Sequence, residues 1–183
     1  MVNGRFTARP HAERRNRKSA TRVERPFLGL AGVKRSSSKG SLLIPFVSIT
    51  RLRVRSWRYL PGFVIQSFRA AHQAKLAAGS LAVSVLRDAD RAFWTRTMWS
   101  DEAAMRSFMR SGVHRRVMAG LAEWCDEAAL VHWVQEDSEP PSWPEAYRRL
   151  QREGRRSRVN HPTEAQRRFE IREPRTNAGL TFK

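Results

Sequence analysis

The sequence predicts an α+β domain of ferredoxin-like βαββαβ order. Three observations carry that prediction. Four segments have strand chemistry, two helical stretches separate them, and a very short polar connection joins the middle two strands. The domain spans residues 46–139, between a basic arm over residues 1–44 and a tail over residues 140–183 carrying short helices.

The first strand is 46–55, FVSITRLRVR, where β-branched residues alternate partly with polar ones. Its phase slips, since Val47 and Ile49 share one parity and Leu52 and Val54 the other. A bulge or an edge position would explain the slip. Arg51, Arg53 and Arg55 share a face, which reads as a solvated strand face or as a contact for an anion or propionate. Pro61 suits the first turn of a helix running to Ala77, with Val64, Phe68, Ala71 and Lys75 on one stripe and Gly79 as its C-cap glycine.

Residues 80–87 and 91–99 read as an antiparallel hairpin through Asp88-Ala89-Asp90. Phe93, Thr95, Thr97 and Trp99 take one face of its second strand; Ala92, Trp94, Arg96 and Met98 take the other. Ser100 is placed to cap the second helix, with Asp101 and Glu102 favouring its positive end and Met105, Phe108 and Met109 inward. Ser111-Gly112 interrupts the helix, and His114–Trp124 continues it with Val117, Met118 and Leu121 inward. The last strand is 128–135, with Val131 and Trp133 on one face and Leu130, His132 and Val134 on the other.

With both helices on one face of the sheet, the other face needs a cover. Two candidates present themselves: a second copy of the chain, giving a homodimer, or the tail after Pro140. The tail offers helices at Trp143–Arg152 and after Pro162, where Thr163 and Gln166 have capping-box spacing.

The formal charge of +18 sits mostly at the ends. Residues 1–45 hold 11 basic and 2 acidic residues, residues 46–139 hold 13 and 10, and residues 140–183 hold 11 and 5. Tails of one sign are usually solvated, so nucleic-acid binding is not the expected function. The arm reads as disordered, either a basic tether or a passive extension. A single cysteine, Cys125, allows no intrachain disulfide and fits a reducing cytoplasm. No apolar run approaches the ~20 residues of a membrane helix, and no signal core lies between the N-terminal arginines. The expectation is a cytoplasmic protein without membrane insertion. Cys125 reads as a small buried hydrophobe. No zinc, phosphate-loop or hydrolase motif occurs.

The pattern Phe93-Trp94-Thr95…Trp99-Ser100-Asp101-Glu102-Ala103-Ala104-Met105…Phe108…Ser111-Gly112…His114 resembles the antibiotic biosynthesis monooxygenase superfamily. More closely, residues 46–136 are similar to uncharacterised bacterial proteins related to spheroidene monooxygenase. The resemblance implies a dimeric α/β barrel and oxygenase chemistry on an aromatic or polyene ligand, with or without haem. In haem-degrading relatives a histidine near the end of the second helix ligates iron; His114 matches it here. The first strand has no counterpart of the Asn those relatives use.

The candidate site follows. His114 is a haem ligand, a general base, or a histidine bonded to helix-end carbonyls. Trp94, Trp99, Trp133 and Phe108 are either the wall of a flat hydrophobic pocket or ordinary core, and Arg53 is a candidate anion contact. A non-catalytic binding module of the same fold is the alternative function.

Overall fold

A computed structural model of the chain describes residues 44–175 and 179–182. The arm expected over residues 1–44 lies, except for Ile44, outside the described residues.

Four strands form the centre: β1 (Phe46–Val54), β2 (Ser80–Arg87), β3 (Ala92–Trp99) and β4 (Cys125–Val134). Between them run α1 (Leu60–Leu76), α2 (Glu102–Arg110) and α3 (Gly112–Trp124), so the order is the expected ferredoxin-like one. The tail adds α4 (Trp143–Glu153), β5 (Arg155–Arg156), α5 (Glu164–Arg168) and β6 (Gly179–Phe182). The sheet is antiparallel throughout, ordered β5-β4-β1-β3-β2-β6. β5 and β6 thus extend the sheet at its two ends.

Local chemistry explains the breaks between elements. Asp88 caps the β2–β3 turn by accepting from Ala89 N at 2.7 Å, and Asp90 adopts φ 55° there, a conformation Asp tolerates. Gly79 has φ +78°, and a Cβ on it would lie 2.5 Å from Ser100 Oγ, so only glycine fits. The cap of α2 is Asp101, not Ser100: its carboxylate accepts from Ala104 N at 2.8 Å, while Ser100 donates to Asp101. A charged acceptor outcompetes the hydroxyl for the helix N–H groups.

The two sheet faces are covered differently. α1, α2 and α3 cover one, where Phe46, Trp99, Met105 and Phe108 pack with Ala71 and Ala74. The tail covers the other. Ala146 and Leu150 of α4, with Ile171, pack against Val47, Ile49, Trp94, Met98, Val131 and Trp133. Two cation–π contacts add to that layer, Arg96 over Trp143 at 4.6 Å and Arg149 over Trp133 at 4.9 Å. Of the two candidate covers, the tail occupies this face. A homodimer built on it would require α4 to leave.

Three readings of the sequence are corrected here. β1 is a central strand, so the edge reading falls, while the bulge reading has a counterpart in the register shift against β4 between Arg53 and Val54; the register with β3 is regular. The apparent phase slip reflects polar residues buried on both faces. Arg51 and Arg53 are not solvated: Arg51 pairs with Glu127 at 2.7 Å, Arg53 with Asp126 at 2.8 Å and Glu127 at 3.2 Å. These pairs draw Asp126 and Glu127 into β4, which therefore starts three residues earlier than expected. The inward stripe of α1 is Phe63, Ala71 and Ala74; Phe68 is 46% exposed and Lys75 is exposed. Phe63 packs against Val54 and Phe93 near the start of the helix, and beyond it the buried residues are the small Ala71 and Ala74.

Candidate functional site

A cavity of about 410 Å³ lies between the sheet and α1–α3. That is within the ~300–1,000 Å³ range of small-molecule sites. Strand register builds its floor from two cross-strand rows. One is His132–Ser48–Thr97–Val83 and the other Leu130–Thr50–Thr95–Val85. α1 contributes Ser67, Ala70, Ala71 and Ala74 above this floor. Short side chains on both layers leave the space open, whereas large ones would have filled it to ordinary core density.

One wall is aromatic. Trp99 stacks on Phe108 with ring centroids 5.1 Å apart, and Phe108 meets His114 at 4.7 Å. Trp99 is fixed by its own indole, which donates to Thr97 Oγ1 at 2.9 Å. His114 sits in the first turn of α3. That turn is held by Gln73 of α1, whose Oε1 accepts from Val113 N (2.7 Å) and His114 N (3.2 Å). Gly112, with φ +54°, lets the chain turn there, and a Cβ would strike the Gln73 amide at 2.7 Å.

The imidazole has a defined tautomer. Its Nδ1 lies 3.2 Å from the Met109 carbonyl, which can only accept, so Nδ1 carries the proton. Nε2 is left with its lone pair and makes no hydrogen bond among the described residues. Burial pushes the His114 pKa down, opposed by the Met109 bond, so the ring is neutral at neutral pH. His132 is likewise pushed down, by burial first and then by Arg155 and Arg106, with Glu102 opposing. Its ring contacts Phe46 at 5.7 Å.

Of the residues singled out in the sequence, the structure brings His114, Trp99 and Phe108 together at the cavity. Trp94 and Trp133 lie on the opposite face under the tail, and Arg53 is engaged by Asp126 and Glu127. Strand parity had already put Trp94 and Trp99 on opposite faces, so the three tryptophans could not share a wall. Parity also held the signal for what was missed. Ser48 and Thr50 alternate on β1 as Thr95 and Thr97 do on β3, and their partner rows reach His132. Gln73 and Arg158 gave no local signal, because each acts across the fold. Cys125 is buried, its thiol pushed up to about 12 by desolvation and Asp126, and is inert. Among the described residues no cluster of three metal-ligating side chains occurs, and no helix is long and apolar enough to cross a membrane.

A family model described as a domain of unknown function, DUF3291, matches residues 44–178. The chain belongs to the DUF3291 family. The match takes in the whole tail cover with the βαββαβ core, so α4 is inside the DUF3291 domain and not appended to it. No curated protein matches the chain. Solved structures similar to the DUF3291 core include PA3566 from Pseudomonas aeruginosa (14% identity, TM-score 0.48, 52% of this chain and 98% of that one). Another is a putative antibiotic biosynthesis monooxygenase from Nitrosomonas europaea (14%, 0.45, 49% and 88%). A third is SnoaB, a cofactor-independent oxygenase from Streptomyces nogalater (16%, 0.41, 49% and 89%).

Proposed function

We propose that this DUF3291 protein binds a small hydrophobic, aromatic or polyene ligand between its sheet and helices. Within that cavity it acts as a monooxygenase in which oxygen reacts with the bound substrate directly. The observation that carries the reading is His114: a neutral imidazole on an aromatic wall, its Nδ1–H held by a carbonyl and its Nε2 unclaimed. Nε2 takes a proton from a ligand hydroxyl, and the resulting anion gives its electrons to oxygen; a ring carbon that loses two hydrogens keeps one oxygen atom as a carbonyl, the other leaves with them as water, and the substrate itself is the reductant. The hydroxyl floor orients the ligand, and Trp99 and Phe108 lie against its flat face.

A haem reading fits less well. The Nδ1–H···O=C arrangement suits an axial imidazole ligand. Arg115 and Arg116, which follow His114 in the chain, are exposed and do not line the cavity. A single arginine, Arg158, faces the two carboxylates a haem would bring.

The test is oxygen uptake with polycyclic quinols, on wild type and His114→Ala, with a haem titration followed by absorbance alongside. Turnover at least about 100-fold above the mutant is expected, the lower bound of typical general-base contributions. Saturable ligand binding with no uptake would support the non-catalytic module instead, the reading favoured by the small number of ionisable groups in the cavity. A saturable Soret shift lost in His114→Ala would restore haem.

A further inference from the structure

The cavity lining is electrically one-sided. Among the described residues its ionisable side chains are His114, His132 and Arg158, with no carboxylate in the lining. Several arginines elsewhere have carboxylate partners, among them Arg51, Arg53, Arg55, Arg106, Arg148, Arg149, Arg167 and Arg168. Arg158 makes no ion pair among the described residues, although the segment that carries it is anchored. Ser157 N donates to Ala128 O at 2.8 Å, and Ser157 O accepts from Gln166 Nε2 at 3.1 Å. Gln166 in turn clasps the Ala128 backbone with both ends of its amide, at 3.1 and 3.0 Å. The tail thus fixes an exposed guanidinium, without an ion pair among the described residues, beside a chamber lined by apolar side chains, hydroxyls and two imidazoles.

The position of that guanidinium supplies a ruler. Ser157, next to Arg158 in the chain, bonds to Ala128, which lies four residues before His132 on the same strand, about 13 Å at strand rise. On α3 the lining runs from Leu121 back to His114, seven residues and about 10 Å. One end of the cavity carries the guanidinium and the other the two imidazoles, with Leu130, Val85, Ala74 and Val117 among the apolar groups between.

Resting on the binding site proposed above, we propose that its ligand is an elongated organic acid. The carboxylate pairs with Arg158 at the mouth, the apolar body fills the chamber, and the reactive end lies between His114 and His132. A fatty acid and a polycyclic aromatic acid share this chemistry, and the chamber takes either body.

The test uses acid and methyl ester pairs, dodecanoate and 2-naphthoate each against its ester. They are titrated into the full chain and into Arg158→Gln and Arg152→Gln, and followed by tryptophan fluorescence and calorimetry. Arg152 is exposed on α4, on the far face, and its replacement removes the same net charge. Wild type is expected to prefer acid over ester by about fivefold, the scale of one partly exposed charge pair. That preference disappears in Arg158→Gln and persists in Arg152→Gln, while ester affinity is unchanged in both. The pair that binds names the source of the acid. Equal affinity for acid and ester in wild type, or a preference that survives in Arg158→Gln, overturns the assignment while leaving the apolar cavity reading intact. Failure of all four compounds to bind overturns both.

Discussion

The two faces of this sheet are built from similar strands and put to opposite uses. Beneath the tail, Leu150, Ala146 and Trp94 are fully buried, Arg51 and Arg53 are paired with carboxylates at 2.7–3.2 Å, and Arg96 lies over Trp143 with hydrogen bonds to Pro141 O and Ser84 Oγ. Beneath α1–α3, the strands turn serines and threonines toward a helix lined with alanines, and a chamber of about 410 Å³ is left. One face is filled by large side chains and leaves, beside its paired charges, a polar cleft of about 400 Å³ lined by Arg51, Arg53, Asp88, Glu127 and Thr163. The other is held open by small residues, with its titratable groups unpaired. Underpacking costs stability, and so does burying a histidine as the neutral base. Both costs fall on the helix side, which marks that side as the functional one.

The largest test of this contrast is Glu127→Ala. It leaves Arg51 facing no carboxylate inside the protein, and removing one member of a buried pair typically costs ~3–5 kcal/mol. Urea denaturation should show a loss of that size, and a loss below ~1 kcal/mol would mean that the charged face is solvated after all. Leu150→Ala comes next, at about 3 kcal/mol for a fully buried leucine on the tail. Its ligand affinity should match wild type under native conditions, because α4 does not touch the cavity. Sedimentation of the full chain should give the 21.1 kDa monomer if the tail remains on the sheet; a sheet-face dimer requires α4 to be displaced.

Acid sharpens the contrast further. His114 has a folded pKa lowered from 6.5, chiefly by burial, and His132 shifts in the same direction. The unfolded chain therefore binds protons that the folded one refuses. Stability is complete above pH 6.5, falls as pH drops below it, and levels off beneath the lowered folded values. Chemical denaturation between pH 7.5 and 5.5 checks this, and His114→Gln should flatten the slope. The smallest effect is Thr50→Val on the cavity floor. Stability should move by less than about 0.5 kcal/mol, whereas affinity for a hydroxylated ligand should fall roughly two- to tenfold, the scale of one hydrogen bond.

The contrast also explains what could be read in the sequence. Element order and strand faces were legible because alternation and helix punctuation are local. Pro61 and the Asp88–Asp90 turn act within a few residues of themselves. Thr163 caps α5 as its spacing suggested, donating nothing to the helix but accepting from Gln166 N at 3.1 Å. The Gln166 side chain does not close the box; it reaches across to Ala128. That kind of long-range use hid the rest. Arg51 and Arg53 looked like surface because their partners lie more than 70 residues away. The α1 stripe was read through Val64, Phe68, Ala71 and Lys75; Ala71 is buried as expected, but Phe68 and Lys75 are exposed and Ala74 takes the inward place over the cavity. Trp94 and Trp133 looked like pocket aromatics by residue type, although strand parity placed them in the other layer.

The claim that ligand binds the helix face, and the helix face alone, can be tested by the indole N–H resonances of the chain's 6 tryptophans. The protein is titrated with 2-naphthoate or dodecanoate, whichever binds, and each indole is followed by two-dimensional NMR. Trp99, on the cavity wall, is expected to shift with saturation, while Trp94 and Trp133, under the tail, stay in place. Saturable shifts at Trp94 and Trp133 with Trp99 unmoved would put the site on the opposite face and contradict the account.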